Sequence, residues 1–268
     1  MTKPVLCFDF DGTLVDGEGH IHPRDVALLR ENTRAHFLPA TGRPLHAVRR
    51  AFVRNGLSWP AIPFPLVLQN GAVVFLPGEK LFVVTPLYED EQGPLVEACR
   101  RRPRVCSILF SLDGLHVMYP NAEGERMIRR FDLDVRPFDP DAPRSTYTKV
   151  TCISDSAEEI SALAADMALF AVEASFSLPT VFELTRRGID KGQMLRRLLT
   201  ALGLEGAPLA VAGDGENDLP LFAIADRTYC PQNAPAAVRQ KADVIVDVAD
   251  GGILEPMLRD FQGADESF

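Results

Sequence analysis

Short apolar runs of strand length, each closed by a polar or glycine-bearing loop and followed by a longer amphipathic stretch, alternate along the first third of the chain. Val5-Leu6-Cys7-Phe8-Asp9 reads as a strand. After a loop through Gly17 and Gly19 comes a predicted helix over about 24–34, whose first turn suits Pro23. Phe37-Leu38-Pro39-Ala40 is a second apolar stretch, and the loop Thr41-Gly42-Arg43 leads to a helix that Pro44 opens. This β-α-β-α alternation predicts a parallel sheet. Leu66-Val67-Leu68 is a third strand, ending at Gln69-Asn70-Gly71, and the runs 72–76 and 80–84 flank Pro77-Gly78-Glu79 as a hairpin.

From about residue 86 the pattern changes. A helix over 91–101 precedes strands 105–112 and 115–119, joined by Asp113-Gly114, a strong signal for an antiparallel hairpin. A helix near 125–131, a strand near 149–153, a helix over 157–168 and strands 170–174 and 181–185 complete an α+β module. Alternation returns at Asp190: helix 191–202, strand 209–212, the loop Gly213-Asp214-Gly215-Glu216-Asn217-Asp218, helix 219–225, then strands near Thr228 and Val244. The tail from Gln262 is expected to be loose. The fold class is therefore α/β, a parallel-sheet core of residues 1–85 and 187–268 interrupted by a module of residues 86–186.

At 268 residues the chain is long enough for one large core, or for a core and a smaller module. A net charge of −9 and a pI near 5.1 leave no basic footprint for nucleic acid or an anionic membrane. No apolar stretch approaches the roughly 20 residues of a membrane span. Met1-Thr2-Lys3-Pro4 runs directly into a strand instead of a signal peptide, so a cytoplasmic location is expected. The five cysteines are scattered without C-x-x-C spacing and are expected to be buried free thiols.

Candidate chemistry gathers at strand ends. Asp9 and Asp11, two residues apart, project from one face of their strand while Phe8 and Phe10 fill the other. Like charges that close raise one another's pKa unless a cation sits between them or one stays protonated. The pair thus suits either a hard divalent metal or a nucleophile beside an acid. Asp214 and Asp218 form a second acidic loop after an apolar strand. In a parallel sheet both loops emerge at the same carboxyl edge, so four carboxylates converge there and call for a metal, with oxygen-only ligands suiting magnesium. Thr41-Gly42-Arg43-Pro44 offers a hydroxyl, a backbone N–H and a helix start for an anion, although Thr before a helix is also an ordinary cap. Lys191 is a fixed cation of the kind that an acidic, phosphate-binding site requires. His20 and His22 lack metal-ligand partners and are expected in an exposed loop. The P-loop, dinucleotide and serine-hydrolase signatures are absent.

Four elements in this order, Asp9-Phe10-Asp11-Gly12-Thr13, Thr41-Gly42-Arg43, Lys191 and Gly213-Asp214-Gly215-Glu216-Asn217-Asp218, resemble the haloacid dehalogenase superfamily of phosphatases, most closely its Cof-type branch. Asn70-Gly71-Ala72 and Gln232-Asn233-Ala234-Pro235 resemble that branch as well, whereas Cys230-Pro231-Gln232 departs from its usual small-residue and Met-containing stretch. The resemblance implies a Rossmann-like core with a large inserted cap that sets substrate specificity. It also implies that Asp9 is the nucleophile and Asp11 the general acid and base. Magnesium would be held by Asp9, the backbone carbonyl of Asp11, and Asp214, with Asp218 orienting that shell. Thr41, Gly42, Lys191 and Asn217 would bind phosphate, and Arg43 would lie near the substrate.

The expected function is thus magnesium-dependent hydrolysis of a small phosphorylated metabolite, sugar phosphate-like, through an aspartyl-phosphate. A phosphosugar mutase or a phosphatase of a specialised glycoside phosphate is the nearest enzymatic alternative. A phospho-accepting signalling receiver is the alternative of another class, though a receiver needs about half this length and no second acidic loop. Neither nucleic acid nor membrane is an expected partner, and a monomer and a homodimer are equally compatible with the sequence.

Overall fold

Every residue of β1 (Val5–Phe8) is buried, as in a strand covered on both faces. α1 (Pro23–Glu31) returns the chain, and β2 (His36–Pro39) joins β1 in parallel, Val5 opposite His36 and Phe8 opposite Pro39. In α2 (Leu45–Arg54), Ala47, Val48, Ala51 and Phe52 form the single stripe that a helix lays on a core. β3 (Leu66–Leu68), β4 (Val73–Leu76) and β5 (Lys80–Val84) make a separate three-stranded sheet. It meets the chain after β2 at one parallel bridge, Ala40 with Val67. Proline explains why the ladder is so short. The N–H groups of His36 and Ala40 donate on the β1 side, to Pro4 O and Phe8 O, while that of Thr41 donates to Val67 O at 2.8 Å. By alternation the missing N–H of Pro39 falls on the β3 side.

The structure is a computed structural model that describes residues 3–31, 33–142 and 146–261; the tail from Gln262 lies outside them. The chain forms two compact units, Met1–Phe82 with Lys191–Phe268, and Val83–Asp190.

The second unit contains α3 (Glu89–Arg100), β6 (Cys106–Ser111), β7 (Leu115–Met118), α4 (Ala122–Arg130), β8 (Val135–Pro137), β9 (Tyr147–Ile153), α5 (Ala157–Met167), β10 (Val172–Leu178) and β11 (Val181–Arg186). Its sheet runs β10-β11-β9-β6-β7-β8, antiparallel except for the β7–β8 pair. Leu95 and Cys99 of α3 and Ile160, Leu163 and Met167 of α5 cover one face, against Leu109, Val150, Cys152 and Leu184. α4 starts three residues earlier than expected because the Asn121 side chain accepts the Gly124 N–H at 2.8 Å and caps it. β8 lies at the sheet edge, where Pro137 is tolerated, and its short, proline-bearing run gave no strand signal.

The first unit resumes with α6 (Lys191–Leu202), β12 (Leu209–Ala212), α7 (Leu219–Phe222), β13 (Arg227–Pro231), α8 (Ala236–Arg239), β14 (Val244–Val246), α9 (Val248–Gly251) and α10 (Leu254–Arg259). Its main sheet has the order β14-β13-β12-β1-β2, with every pair parallel. From β1 the connections run to β2 on one side and, after the long excursion, β12 lies on the other. That reversal makes the carboxyl end of β1 a switch point, where ligands bind in such sheets. Below it, Phe10, Phe37, Phe52, Phe64 and Trp59 pack edge to face, with ring centroids 5.2 Å apart for Phe10 and Phe52. All five cysteines are buried free thiols. Among the described residues no helix is long and apolar enough to cross a membrane.

Candidate active site

The parallel register carries Asp9 and Asp214 to neighbouring strand ends, since Phe8 pairs with Ala212 and the Asp9 N–H donates to Ala212 O at 2.9 Å. The chain then turns sharply: Val15 N–H donates back to Phe10 O at 2.7 Å, and Gly12 adopts φ +85°. The turn brings the Thr13 hydroxyl within 3.0 Å of Asp214 Oδ1, to which it donates. Thr13 therefore ties the two acidic loops together, a role that nothing in its local sequence announces.

Lys191 arrives from 182 residues away. It opens α6, and Gly192 beside it lies so close to the Pro220 carbonyl that a Cβ there would stand 2.2 Å from the oxygen. This close packing delivers the fully buried ammonium to two carboxylates, 2.6 Å from Asp9 Oδ1 and 2.7 Å from Asp218 Oδ1. Asp218 Oδ2 accepts the backbone N–H groups of Asp214 and Gly215 at 3.1 and 3.0 Å. Both oxygens of Asp218 are thus engaged, and it braces the second acidic loop from beneath.

Electrostatics follow from burial. Desolvation pushes the Asp9 carboxyl well above its ordinary range; Lys191 opposes this, and Asp218, Asp214 and Asp11 add to it. Desolvation would lower the pKa of the Lys191 ammonium, but Asp218 and Asp9 outweigh it and hold the lysine charged. Asp214 is pushed up to about 7, first by burial and then by Asp218, with the Thr13 hydrogen bond opposing. The site carries surplus negative charge in a poorly solvated place.

Asp9, Asp214 and Asp218 each offer a carboxylate oxygen within 4.8 Å of the others. Among the described residues, neither Asp9 Oδ2 nor Asp214 Oδ2 accepts a hydrogen bond. Hard oxygen donors, partial burial and surplus negative charge fit a divalent cation. Asp11 is placed differently. Its carboxylate is gripped by the buried guanidinium of Arg43 through a fork, Nε to Oδ2 at 2.7 Å and Nη2 to Oδ1. The guanidinium also lies 5.3 Å from the centroid of the Phe10 ring.

Thr41 and Gly42 follow Ala40 at the same sheet edge. The Thr41 hydroxyl accepts the Arg43 N–H at 3.2 Å. Behind them, Gln69 and Asn70 both adopt left-handed backbone, at φ 53° and 56°, and their N–H groups donate to Arg43 O and Thr41 O at 3.2 and 3.1 Å. Strain of this kind persists only where surrounding contacts enforce it. Asn70-Gly71, which reads in the sequence as a simple turn, buttresses the Thr41 loop, and Asn70 Oδ1 accepts from Asn217 Nδ2 at 3.4 Å. His20 is exposed in the loop beyond the acidic pair, whereas His22, also expected to be exposed, is half-buried just before α1, where its Nδ1 accepts the Arg24 N–H at 3.3 Å.

The family model described as haloacid dehalogenase-like hydrolase matches residues 6–256. The chain belongs to that family. The hydrolase is 26% identical over 265 residues to a Methanopyrus kandleri protein named phosphoglycolate phosphatase, covering 97% of each chain. A solved Thermotoga maritima structure superposes with a TM-score of 0.77 at 24% identity, covering 95% of the hydrolase and 97% of its counterpart. A solved structure described as a subclass IIB sugar phosphatase gives a TM-score of 0.81 at 21% identity, with 96% and 99% covered. The hydrolase thus has the fold of the Cof-type branch, a parallel-sheet core interrupted by an α+β insertion.

Proposed function

We propose that this hydrolase is a magnesium-dependent phosphomonoesterase that cleaves a small, soluble phosphorylated metabolite through an aspartyl-phosphate on Asp9. The observation that carries the reading is the buried Lys191 ammonium bridging Asp9 and Asp218, beside Asp214, at the carboxyl edge of the parallel sheet. Phosphoryl transfer needs positioning and charge neutralisation more than covalent chemistry, and this cluster supplies both. Asp9, Asp214 and the Asp11 carbonyl would hold the magnesium ion, whose charge offsets that of the phosphoryl group when bound.

An Asp9 carboxylate oxygen forms a bond to phosphorus as the bond from phosphorus to the leaving oxygen breaks. Asp11 gives its proton to that oxygen, then takes one from a water whose oxygen attacks phosphorus, releasing inorganic phosphate and regenerating Asp9. Thr41, Gly42, Lys191 and Asn217 bind the phosphoryl oxygens. The Arg43 fork occupies both Asp11 oxygens, and an anionic substrate that draws this guanidinium away frees Asp11 for the proton transfers. We assign substrate selection, as a role, to the unit Val83–Asp190, and five reduced thiols suit a cytoplasmic setting.

A sugar phosphate-like substrate agrees with the subclass IIB likeness, and the curated relatives bring phosphoglycolate, a two-carbon phosphorylated acid, into the same comparison. The test is phosphate release from a panel holding phosphoglycolate and hexose phosphates, with magnesium and with chelator. Release that needs the metal supports the proposal. Relocation of phosphate on a hexose without release would favour a mutase, and a stable phosphoprotein without turnover a receiver.

A further inference from the structure

The Val83–Asp190 unit contains a cavity of about 850 Å³, bounded by the start of α3, the β7–β8 edge, the segment after β8 and the end of β11. That volume lies within the roughly 300–1,000 Å³ typical of small-molecule sites. Three aromatic rings line it, Tyr88, Phe138 and Tyr147, together with His116, Arg136 and Arg186. None of these residues belongs to the acidic site.

The polar groups here are unanswered. His116 Nδ1 is buried without a hydrogen-bond partner among the described residues. A buried polar atom in that condition is destabilising. His116 and Arg136 stand opposite each other in the parallel β7–β8 register, so their side chains leave the same face of the sheet. Arg186 lies over the Tyr88 ring, 3.8 Å from its centroid. Stacking of this kind occupies the face of the guanidinium and leaves its in-plane N–H donors for another partner. Neither Arg136 nor Arg186 meets a carboxylate among the described residues.

Of the acidic side chains in the walls, only Glu97 is paired with a cation among the described residues. Glu97 receives Arg100 at 3.1 Å and lies 3.5 Å from Arg101. Asp139 accepts the Asp141 N–H at 2.9 Å. Glu89 sits in the first turn of α3, where the helix dipole favours an anion. Arg136 and Arg186 remain the wall's cations without a carboxylate partner among the described residues.

We propose that this cavity binds an organic anion with a flat apolar body, its charge balanced by Arg136 and Arg186. The aromatic walls take the body and the two guanidinia take the charge. The chain enters this unit at Val83 and leaves it at Asp190, so Tyr88 and Arg186 belong to its first and last stretches, which their stacking already ties together.

The probe is 8-anilinonaphthalene-1-sulfonate, an aromatic sulfonate that cannot serve as a phosphatase substrate, titrated by fluorescence into the full-length chain. One saturable site is expected. Arg136→Ala/Arg186→Ala weakens its Kd by about tenfold or more, the loss of charge-assisted hydrogen bonds, while Asp9→Asn leaves it unchanged. Arg136→Gln, at an exposed residue without an ion pair to break, keeps the fold and still weakens binding about threefold or more. Binding that does not saturate, that survives both arginine changes, or that disappears in Asp9→Asn would overturn the proposal.

Discussion

A Cβ on Gly12 would lie 2.3 Å from Asp214 Oδ2, on a residue whose φ of +85° disfavours any side chain. Gly12→Ala is therefore expected to displace Asp214, lower turnover and reduce stability by about 1–3 kcal/mol, measurable by urea unfolding beside phosphate release. Lys191 poses the opposite problem, a charge whose removal strands its partners. Lys191→Met leaves Asp9 and Asp218 buried without a cation, a cost on the order of 3–5 kcal/mol, and abolishes turnover. Adding Asp218→Asn is expected to restore part of the stability and none of the activity. Arg43→Lys keeps the charge and loses the fork on Asp11. A decrease in kcat/KM of roughly ten- to a hundredfold is expected, and an unchanged value would remove Arg43 from the mechanism.

At the scale of elements, Asp25 shows how helix ends tie distant parts of the chain together. It lies in the first turn of α1, yet its carboxylate accepts the Ile253 and Leu254 N–H groups at 2.9 and 3.0 Å, capping α10 from 228 residues away. Burial pushes its pKa up to about 6 from 3.8, against the two backbone hydrogen bonds. Between those values the folded state binds more protons than the unfolded state, so this group's contribution to stability falls as pH rises from about 4 to 6. The fall is on the order of 3 kcal/mol by the usual conversion, and Asp25→Asn is expected to abolish it. Urea unfolding of both proteins across that range checks this; an identical pH dependence would contradict it. Most elements were legible because strand ends declare themselves as apolar runs followed by Asp, Thr-Gly or Gly-Asp. β8, the start of α4 and the helices α8, α9 and α10 were not. β8 is a proline-bearing edge with no alternation, the start of α4 depends on a single Asn121 hydrogen bond, and α8 to α10 are too short to show a helical period.

Across the whole molecule, the sequence supports convergence of the acidic loops by a topological argument, since parallel strands share a carboxyl edge. The register of β1 with β12 realises it. The pairings inside the site were out of reach of that argument. That Lys191 bridges Asp9 and Asp218, and that Arg43 takes Asp11, depends on how α6 and the Thr41 loop pack, which no local pattern encodes. The Asp9/Asp11 pair, read as mutual repulsion awaiting a proton or a metal, meets a separate cation at each carboxylate. The proposed aspartyl-phosphate on Asp9 is checked by acid-quenching the enzyme during turnover with magnesium and a cleaved substrate, then locating the phosphoryl group by peptide mass spectrometry. One phosphoryl group is expected on Asp9, absent in Asp9→Asn. A phosphoryl group on another residue, or full turnover by Asp9→Asn, would contradict it.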